Sequence, residues 1–215
     1  MKSILLIGIG RFGYHLAKEL STLDVEFMAV DADEAKLKHV SDFAYKSLIG
    51  DSTDIEFLRN IGVNNFDECI VSIGDDFQSS LETVLNLKEL GAKKITARAS
   101  KESQKKLLAE IGANFIVYPE EQLAKWTALR CGTNSIYDFM DLDDGYGIFE
   151  ITPPKDWVGK TLAELDLRRK QNINIIGVKN KNKINVILGP TFKIRENENI
   201  LVIAKISEAE KLFDK

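Results

Sequence analysis

Three glycines near the start of the chain are spaced for phosphate chemistry. Gly8-Ile9-Gly10-Arg11-Phe12-Gly13 follows a short apolar run, Ser3 to Ile7, and leads into a segment where Phe12, Leu16, Ala17 and Leu20 repeat at helical intervals. A strand that turns sharply into a helix offers backbone N–H groups and the positive end of the helix dipole to an anion. Each glycine has its own duty in such a turn. Gly8 permits the sharp bend, Gly10 lets a phosphate chain approach the backbone with no Cβ in between, and Gly13 lets the helix pack closely on the strand. Asp31 stands 21 residues after Gly10, at the end of the next β-prone run. There its carboxylate can accept hydrogen bonds from both ribose hydroxyls, and it would repel a 2′-phosphate. The pattern predicts an adenine-nucleotide site that disfavours NADP.

Other residues with catalytic potential are sparse. His15 falls one turn into the first helix and His39 in a charged helical stretch, and both read as packing or surface residues. Cys69 and Cys131 are 62 positions apart, which matches neither a zinc site nor a disulfide scaffold and reads as two reduced thiols. Asp141, Asp143 and Asp144 lack the full loop of a calcium hand and read as turn residues. A dehydrogenase needs a proton donor or acceptor beside the nicotinamide and a domain that cages its substrate. No residue presents itself for that role, so the chain reads as a non-enzyme. An NAD-dependent oxidoreductase and a nucleotide-sensing module for some other partner stand as alternatives.

These residues must be positioned by alternating strands and helices. Strands are expected near Glu26 to Val30, Ala44 to Leu48, Cys69 to Ile73, Lys94 to Ala97 and Phe115 to Tyr118, with helices between them. Such alternation implies βαβ crossovers, hence a doubly wound α/β fold of Rossmann type with a parallel sheet covered on both faces. Three helical patterns end in glycine, at Gly62, Gly91 and Gly112, where the left-handed conformation costs glycine little. Beyond Tyr118, Pro119 suits the first turn of a helix that Gly132 should end. Ser135 to Leu142 is expected to add a short helix, followed by a turn at Asp143-Asp144-Gly145. A small α+β domain then carries strands at Gly147 to Thr152, Asn174 to Val178, Ile184 to Leu188 and Ile200 to Ala204. It also carries helices at Leu162 to Leu165 and from Glu208. The expected division is 1–118 for nucleotide binding, 119–145 as connecting helices, and 146–215 as a small domain that pairs with a copy of itself.

The 215 residues are 44% hydrophobic and 29% charged, which is ordinary for a globular chain. With 29 basic and 33 acidic residues the net charge is −4, so no overall field favours nucleic acid. No stretch approaches the 18 or so consecutive apolar residues of a membrane span. Any membrane role is expected to run through a partner.

Gly8-Ile-Gly-Arg-Phe-Gly13, Val30-Asp31, Gly50-Asp51-Ser-Thr53, Ile73-Gly74, and Ile111-Gly-Ala113 followed by Tyr118-Pro-Glu120 closely resemble the RCK, or KTN, gating subunits of Ktr- and Trk-type potassium uptake systems. Arg11 in the glycine turn favours the Ktr type. The tail, with Leu162-Ala-Glu-Leu-Asp166-Leu167-Arg168, Asn174 to Val178 and Gly189-Pro190, resembles the small C-terminal domain of that family. The resemblance implies a cytoplasmic protein at the inner face of the cell membrane, in which homodimers assemble into a ring, commonly an octamer, beneath a potassium-translocating membrane subunit. It implies that ATP and ADP compete for the Rossmann site, with NAD or NADH as other occupants. Gly8, Gly10, Arg11, Phe12, Gly13, Asp31, Asp51, Thr53, Ile73 and Gly74 would form that site. Arg11 would reach the terminal phosphate of a nucleotide held by the neighbouring subunit, or else serve as a solvated charge at a helix start. Glu120 matches an acidic position that helps hold Mg or another divalent cation at the subunit interface, although a helix dipole alone would also favour a carboxylate there. Leu162, Asp166, Leu167, Arg168, Asn174 and Pro190 match the lining of a cleft that binds cyclic di-AMP, with an ordinary dimer core as the alternative.

Overall fold

The computed structural model describes residues 1–133, 135–142, 144–181 and 183–213, with backbone alone for 210–213. Two compact units divide the chain, Met1–Glu120 and Glu121–Lys215. In the first, six strands alternate with helices: β1 Lys2–Ile7, α1 Arg11–Leu20, β2 Val25–Asp31, α2 Glu34–Lys38, β3 Lys46–Ile49 and α3 Ile55–Ile61. There follow β4 Glu68–Val71, α4 Phe77–Glu89, β5 Ile95–Arg98, α5 Glu102–Ile111 and β6 Phe115–Val117, after which α6 Pro119–Gly132 begins. All six strands are parallel, in the order β3-β2-β1-β4-β5-β6. This is the doubly wound Rossmann arrangement, in which the strand order reverses between β1 and β4.

The all-apolar run Ile4 to Ile7 within β1 has a simple cause. Ile4 and Leu6 face a core with Ala17, Leu20, Phe27 and Leu37, while Leu5 and Ile7 face another with Leu58, Val84, Leu87 and Leu108. A strand buried on both faces has no polar side to alternate with. Its ends carry the polar contacts. At the N-terminal end Lys2 Nζ donates to Glu68 Oε2 at 2.6 Å, and the Ser3 N–H donates to Asp67 Oδ2 at 2.9 Å. Lys94 and Thr96 complete the shell around Glu68, at 3.2 and 2.7 Å.

Helix ends follow the expected chemistry. The carboxylates of Asp33, Asp54 and Asp76 accept backbone N–H groups at the starts of α2, α3 and α4, and Gly62, Gly91 and Gly112 take positive φ after α3, α4 and α5.

The second unit contains β7 Ile136–Asp141, β8 Tyr146–Ile151, α7 Leu162–Leu165, α8 Leu167–Gln171, β9 Asn174–Asn180, β10 Lys183–Asn185, β11 Asn199–Lys205 and α9 Ile206–Phe213. Its strands form an antiparallel sheet in the order β10-β9-β11-β8-β7. Trp157, Phe149, Ile151, Ile173 and Ile200 lie at its core, and Trp126 and Leu129 of α6 pack against them.

The helix expected at Ser135 to Leu142 is instead β7. A register shift between Ile136 and Asp138 lets Ile136 and Phe139 both point inward, and their spacing of three imitates a helical face. In the turn that follows, Asp144 and Gly145 have positive φ, and Asp143 lies outside the described residues. The strand expected at Ile184 to Leu188 stops at Asn185, whose side chain accepts the Ile187 N–H at 3.0 Å and turns the chain out of the sheet. Helix α8 was not anticipated. It is separated from α7 by Asp166 alone, which adopts φ 45.

Candidate functional site

At the C-terminal ends of β1, β2, β4 and β5 the chain forms a cavity of about 330 Å³. It lies where the strand order reverses, the usual place for a ligand in an open α/β sheet. Gly8 turns out of β1 with φ +90 while its N–H donates to the Val30 carbonyl at 2.8 Å. Ser72 fastens the turn to β4 by donating from its hydroxyl to the Gly8 carbonyl. A Cβ on Gly13 would run into that same Gly8 oxygen and into Ser72 Oγ, so α1 and β1 touch there as closely as backbone allows. A Cβ on Gly10 would meet nothing within 4 Å. No side chain caps the N-terminus of α1, and no acidic residue occupies its first turn.

Asp31 is buried and already employed. Its Oδ2 accepts the Ile9 N–H at 2.6 Å and its Oδ1 accepts the Asp33 N–H at 2.9 Å, with Lys36 Nζ 3.9 Å from Oδ1. A carboxylate has about four acceptor positions, so two can still meet ribose hydroxyls. Across the cavity, the loop after β3 is pinned to α4. Asn86 donates to the Thr53 carbonyl at 2.9 Å, and the hydroxyls of Ser52 and Thr83 are 2.8 Å apart. Asp51 Oδ1 accepts both the N–H and the hydroxyl of Thr53, leaving Oδ2 for another donor.

Of the residues singled out by sequence, Gly8, Gly10, Arg11, Asp31, Asp51, Ile73 and Gly74 line the cavity. Phe12, Gly13 and Thr53 stand behind the wall. Phe12 lies under the Arg98 guanidinium, Gly13 makes the close helix contact, and Thr53 braces Asp51. Lys36, Ser72, Ser79 and Arg98 also line it, and sequence reasoning passed over them. For Arg98 one signal existed: it is the last residue of a parallel strand, at the sheet edge where ligands bind. Asp76, on the rim, is held below its ordinary pKa by hydrogen bonds from the Ser79 hydroxyl and backbone N–H. His15 and His39 are exposed. Burial pushes the Cys69 thiol up to about 12, which keeps it protonated and inert.

Glu120 receives the Arg98 Nη2 donor at 2.6 Å. Burial opposes its ionisation, but its own backbone N–H, Arg98 and the charge of Arg11 together hold its pKa below the ordinary value. Among the described residues no group of three or more His, Cys, Asp or Glu is placed to hold a metal ion. Within one chain Glu120 is thus paired with a guanidinium and is not grouped with further metal-ligating side chains among the described residues.

The second unit has a smaller cavity of about 160 Å³, lined by Leu162, Asp166, Leu167, Arg168, Ile173, Asn174 and Ile175. Five of the six residues marked from sequence for cyclic di-AMP meet there. Pro190 is not on its wall, and its carbonyl accepts the Ala163 N–H at 3.0 Å. Ile173 and Ile175 add apolar surface that the sequence reading had not included.

Comparison with known proteins matches the TrkA-N domain family over residues 4–119 and the TrkA-C domain family over 147–215. The chain is 38% identical over 214 residues to the Ktr system potassium uptake protein C of Bacillus subtilis (strain 168), covering 100% of this chain and 96% of that protein. It is 31% identical over 202 residues to the Ktr system potassium uptake protein A of the same organism, covering 94% and 91%. Among solved structures, the GsuK channel superposes with a TM-score of 0.73 at 20% identity, over 100% of this chain and 40% of the channel's. The GsuK channel bound to NAD gives 0.71 at 19%, again over 40% of that chain. At those identities the likeness establishes the fold.

Proposed function

The chain belongs to the TrkA-N and TrkA-C domain family of the Ktr-type potassium uptake proteins, and from that premise we propose that it is the cytosolic, nucleotide-sensing regulatory subunit of a potassium transporter. The observation that carries the nucleotide half of this reading is the contrast among three glycines. Gly8 is required by its positive φ and Gly13 by packing, but among the described residues nothing comes within 4 Å of where a Gly10 Cβ would stand. That space lies at the bare N-terminus of α1, where a pyrophosphate would find backbone N–H donors. Asp31 retains acceptors for ribose hydroxyls, and Asp51 Oδ2 is an acceptor available to an adenine amino group.

ATP and ADP are the proposed occupants, with NAD or NADH as other adenine nucleotides of the same shape. A relative in fold is described as bound to NAD. The proposed partner is a potassium-translocating membrane subunit, since no helix among the described residues is long and apolar enough to cross a membrane itself. Residues 1–118 would sense the nucleotide and 119–145 would connect. Residues 146–215 would form a dimeric domain whose small cavity takes cyclic di-AMP, and the dimers would assemble into a ring, in the proposed form an octamer. Arg11 would report the terminal phosphate across a subunit boundary. A divalent cation at Glu120 would require carboxylates from a second subunit.

The test is a melting and calorimetric panel of the full chain with ATP, ADP, NADH and cyclic di-AMP, followed by potassium flux in vesicles carrying the membrane subunit. Adenine-nucleotide binding with flux that differs between ATP and ADP is expected. Absence of binding to every nucleotide, or steady oxidation of NADH, would overturn the reading.

A further inference from the structure

Arg98 is held on three sides. Its Cζ lies 5.7 Å from the centroid of the Phe12 ring, its guanidinium fills the space a Gly74 Cβ would occupy, and Nη2 donates to Glu120. The side chain is 14% exposed, whereas that of Glu120 is 54% exposed. Arg98 Nε is buried and has no hydrogen-bond partner among the described residues. Guanidinium carries five N–H donors in a rigid fork. Here a buried, stacked guanidinium at a cavity wall spends an Nη2 hydrogen bond on a carboxylate that water can reach, while its Nε–H is left without an acceptor among the described residues. Lys36, another cation of that wall, sits beside Asp31 instead, and Arg11 is exposed.

We propose that Arg98 is a phosphate-chain ligand of the glycine-turn cavity, paired with Glu120 while the cavity is empty, so that an anionic phosphate and the Glu120 carboxylate compete for one guanidinium. The inference rests on the nucleotide reading above and adds a residue and a coupling to it. A phosphate chain laid over Gly10 and Gly74 brings two or more negative charges and several acceptor oxygens to a partly desolvated cation, while Glu120 holds the same cation from the solvent side, where screening weakens it. The exchange therefore favours phosphate. Because the two anions compete, their affinities are linked: weakening the Arg98–Glu120 pair tightens phosphate binding, and bound phosphate frees Glu120.

The experiment is calorimetric titration of the full chain with ADP and with adenosine, in EDTA so that no divalent cation contributes. Arg98→Gln is expected to weaken ADP about tenfold while adenosine changes far less, and Arg98→Lys, which keeps the charge without the fork, to lose less. Glu120→Gln is expected to tighten ADP about threefold, without a matching gain for adenosine. Equal losses of ADP and adenosine in Arg98→Gln, or weaker ADP binding in Glu120→Gln, overturn the proposal. If Arg98→Gln does not fold, the Glu120→Gln arm decides alone. A wild-type chain that binds ADP in a manner abolished by Gly10→Val but indifferent to Arg98 refutes this inference and spares the nucleotide reading. A wild type that binds neither ligand refutes both.

Discussion

Gly10 and Gly13 lie three residues apart in one turn, yet a side chain should have opposite effects at the two. Gly10 has φ −75 and ψ −168, an extended conformation open to any residue, and its missing Cβ would meet nothing within 4 Å. In Gly10→Val, reduced freedom of the unfolded chain contributes about 0.4–1 kcal/mol of stability. Valine is a poor helix cap, which costs a similar amount, so the melting temperature should stay within about 4 °C of wild type. The branched side chain would fill the space over the helix N-terminus, and ADP affinity should fall about 10- to 100-fold, the equivalent of overpacking a well-fitted contact. Gly13→Ala drives one methyl into the Gly8 carbonyl and Ser72 Oγ, both held by the turn itself. That overpacking costs about 1–3 kcal/mol and should lower the melting temperature by about 3–10 °C. Circular dichroism melts and ADP titration read both quantities on the same preparations. Wild-type ADP affinity in a folded Gly10→Val protein would refute the assigned cavity, and an undiminished melting temperature in Gly13→Ala would refute the packing argument.

Asp31→Ala should lower both stability and nucleotide affinity, because it leaves the buried Ile9 N–H unpaired at a cost of about 1–3 kcal/mol. Asp31→Asn keeps an acceptor and should lose less stability, so matching melts for the two variants would contradict the double role. Arg11→Ala should reduce ATP affinity more than ADP affinity, and equal loss of both would assign Arg11 a merely structural part. At a hundredfold excess over its dissociation constant, cyclic di-AMP should stabilise the full chain by about 2.7 kcal/mol, and Arg168→Ala should lose much of that gain; no shift in the wild type removes the ligand from this domain. Although burial opposes it, the contacts from Lys2, Thr96 and Lys94 hold the Glu68 pKa below its ordinary 4.5. A depressed carboxylate contributes stability above its unfolded value and loses it as pH falls through the folded one. The stability gap between wild type and Glu68→Gln should therefore shrink as pH drops below 4.5, and a gap independent of pH in acid would refute the assignment.

Much of the first unit was legible because its rules are local. An apolar run, a glycine turn and a helical repeat occur in sequence order, and Asp31 follows at a fixed distance. What escaped depends on distant partners. Arg98 belongs to no motif, and its place on the cavity follows only once β5 lies beside β4. The hydrogen bond from the Thr53 hydroxyl to Asp51 two residues away likewise carries no signature in the sequence. In the second unit, β7 misled because its bulge gives a strand the spacing of a helix. Five of the residues lining the smaller cavity were marked by family resemblance, whereas Ile173 joins it from the short link between α8 and β9 and Ile175 from β9 itself.

The contacts that bracket β1 act as a ruler. A strand can slide by two residues, about 7 Å, without turning any side chain to the wrong face, and Ile4 to Ile7 of β1 are apolar throughout. Burial alone would barely distinguish the two alignments. Lys2 and Ser3, tied to Glu68 and Asp67 at one end, and Gly8, tied to Ser72 at the other, have no equivalents two residues along. The ion pair at the base of the sheet thus sets the distance at which the glycine turn meets β4, and so fixes the width of a cavity at the opposite end that it never touches.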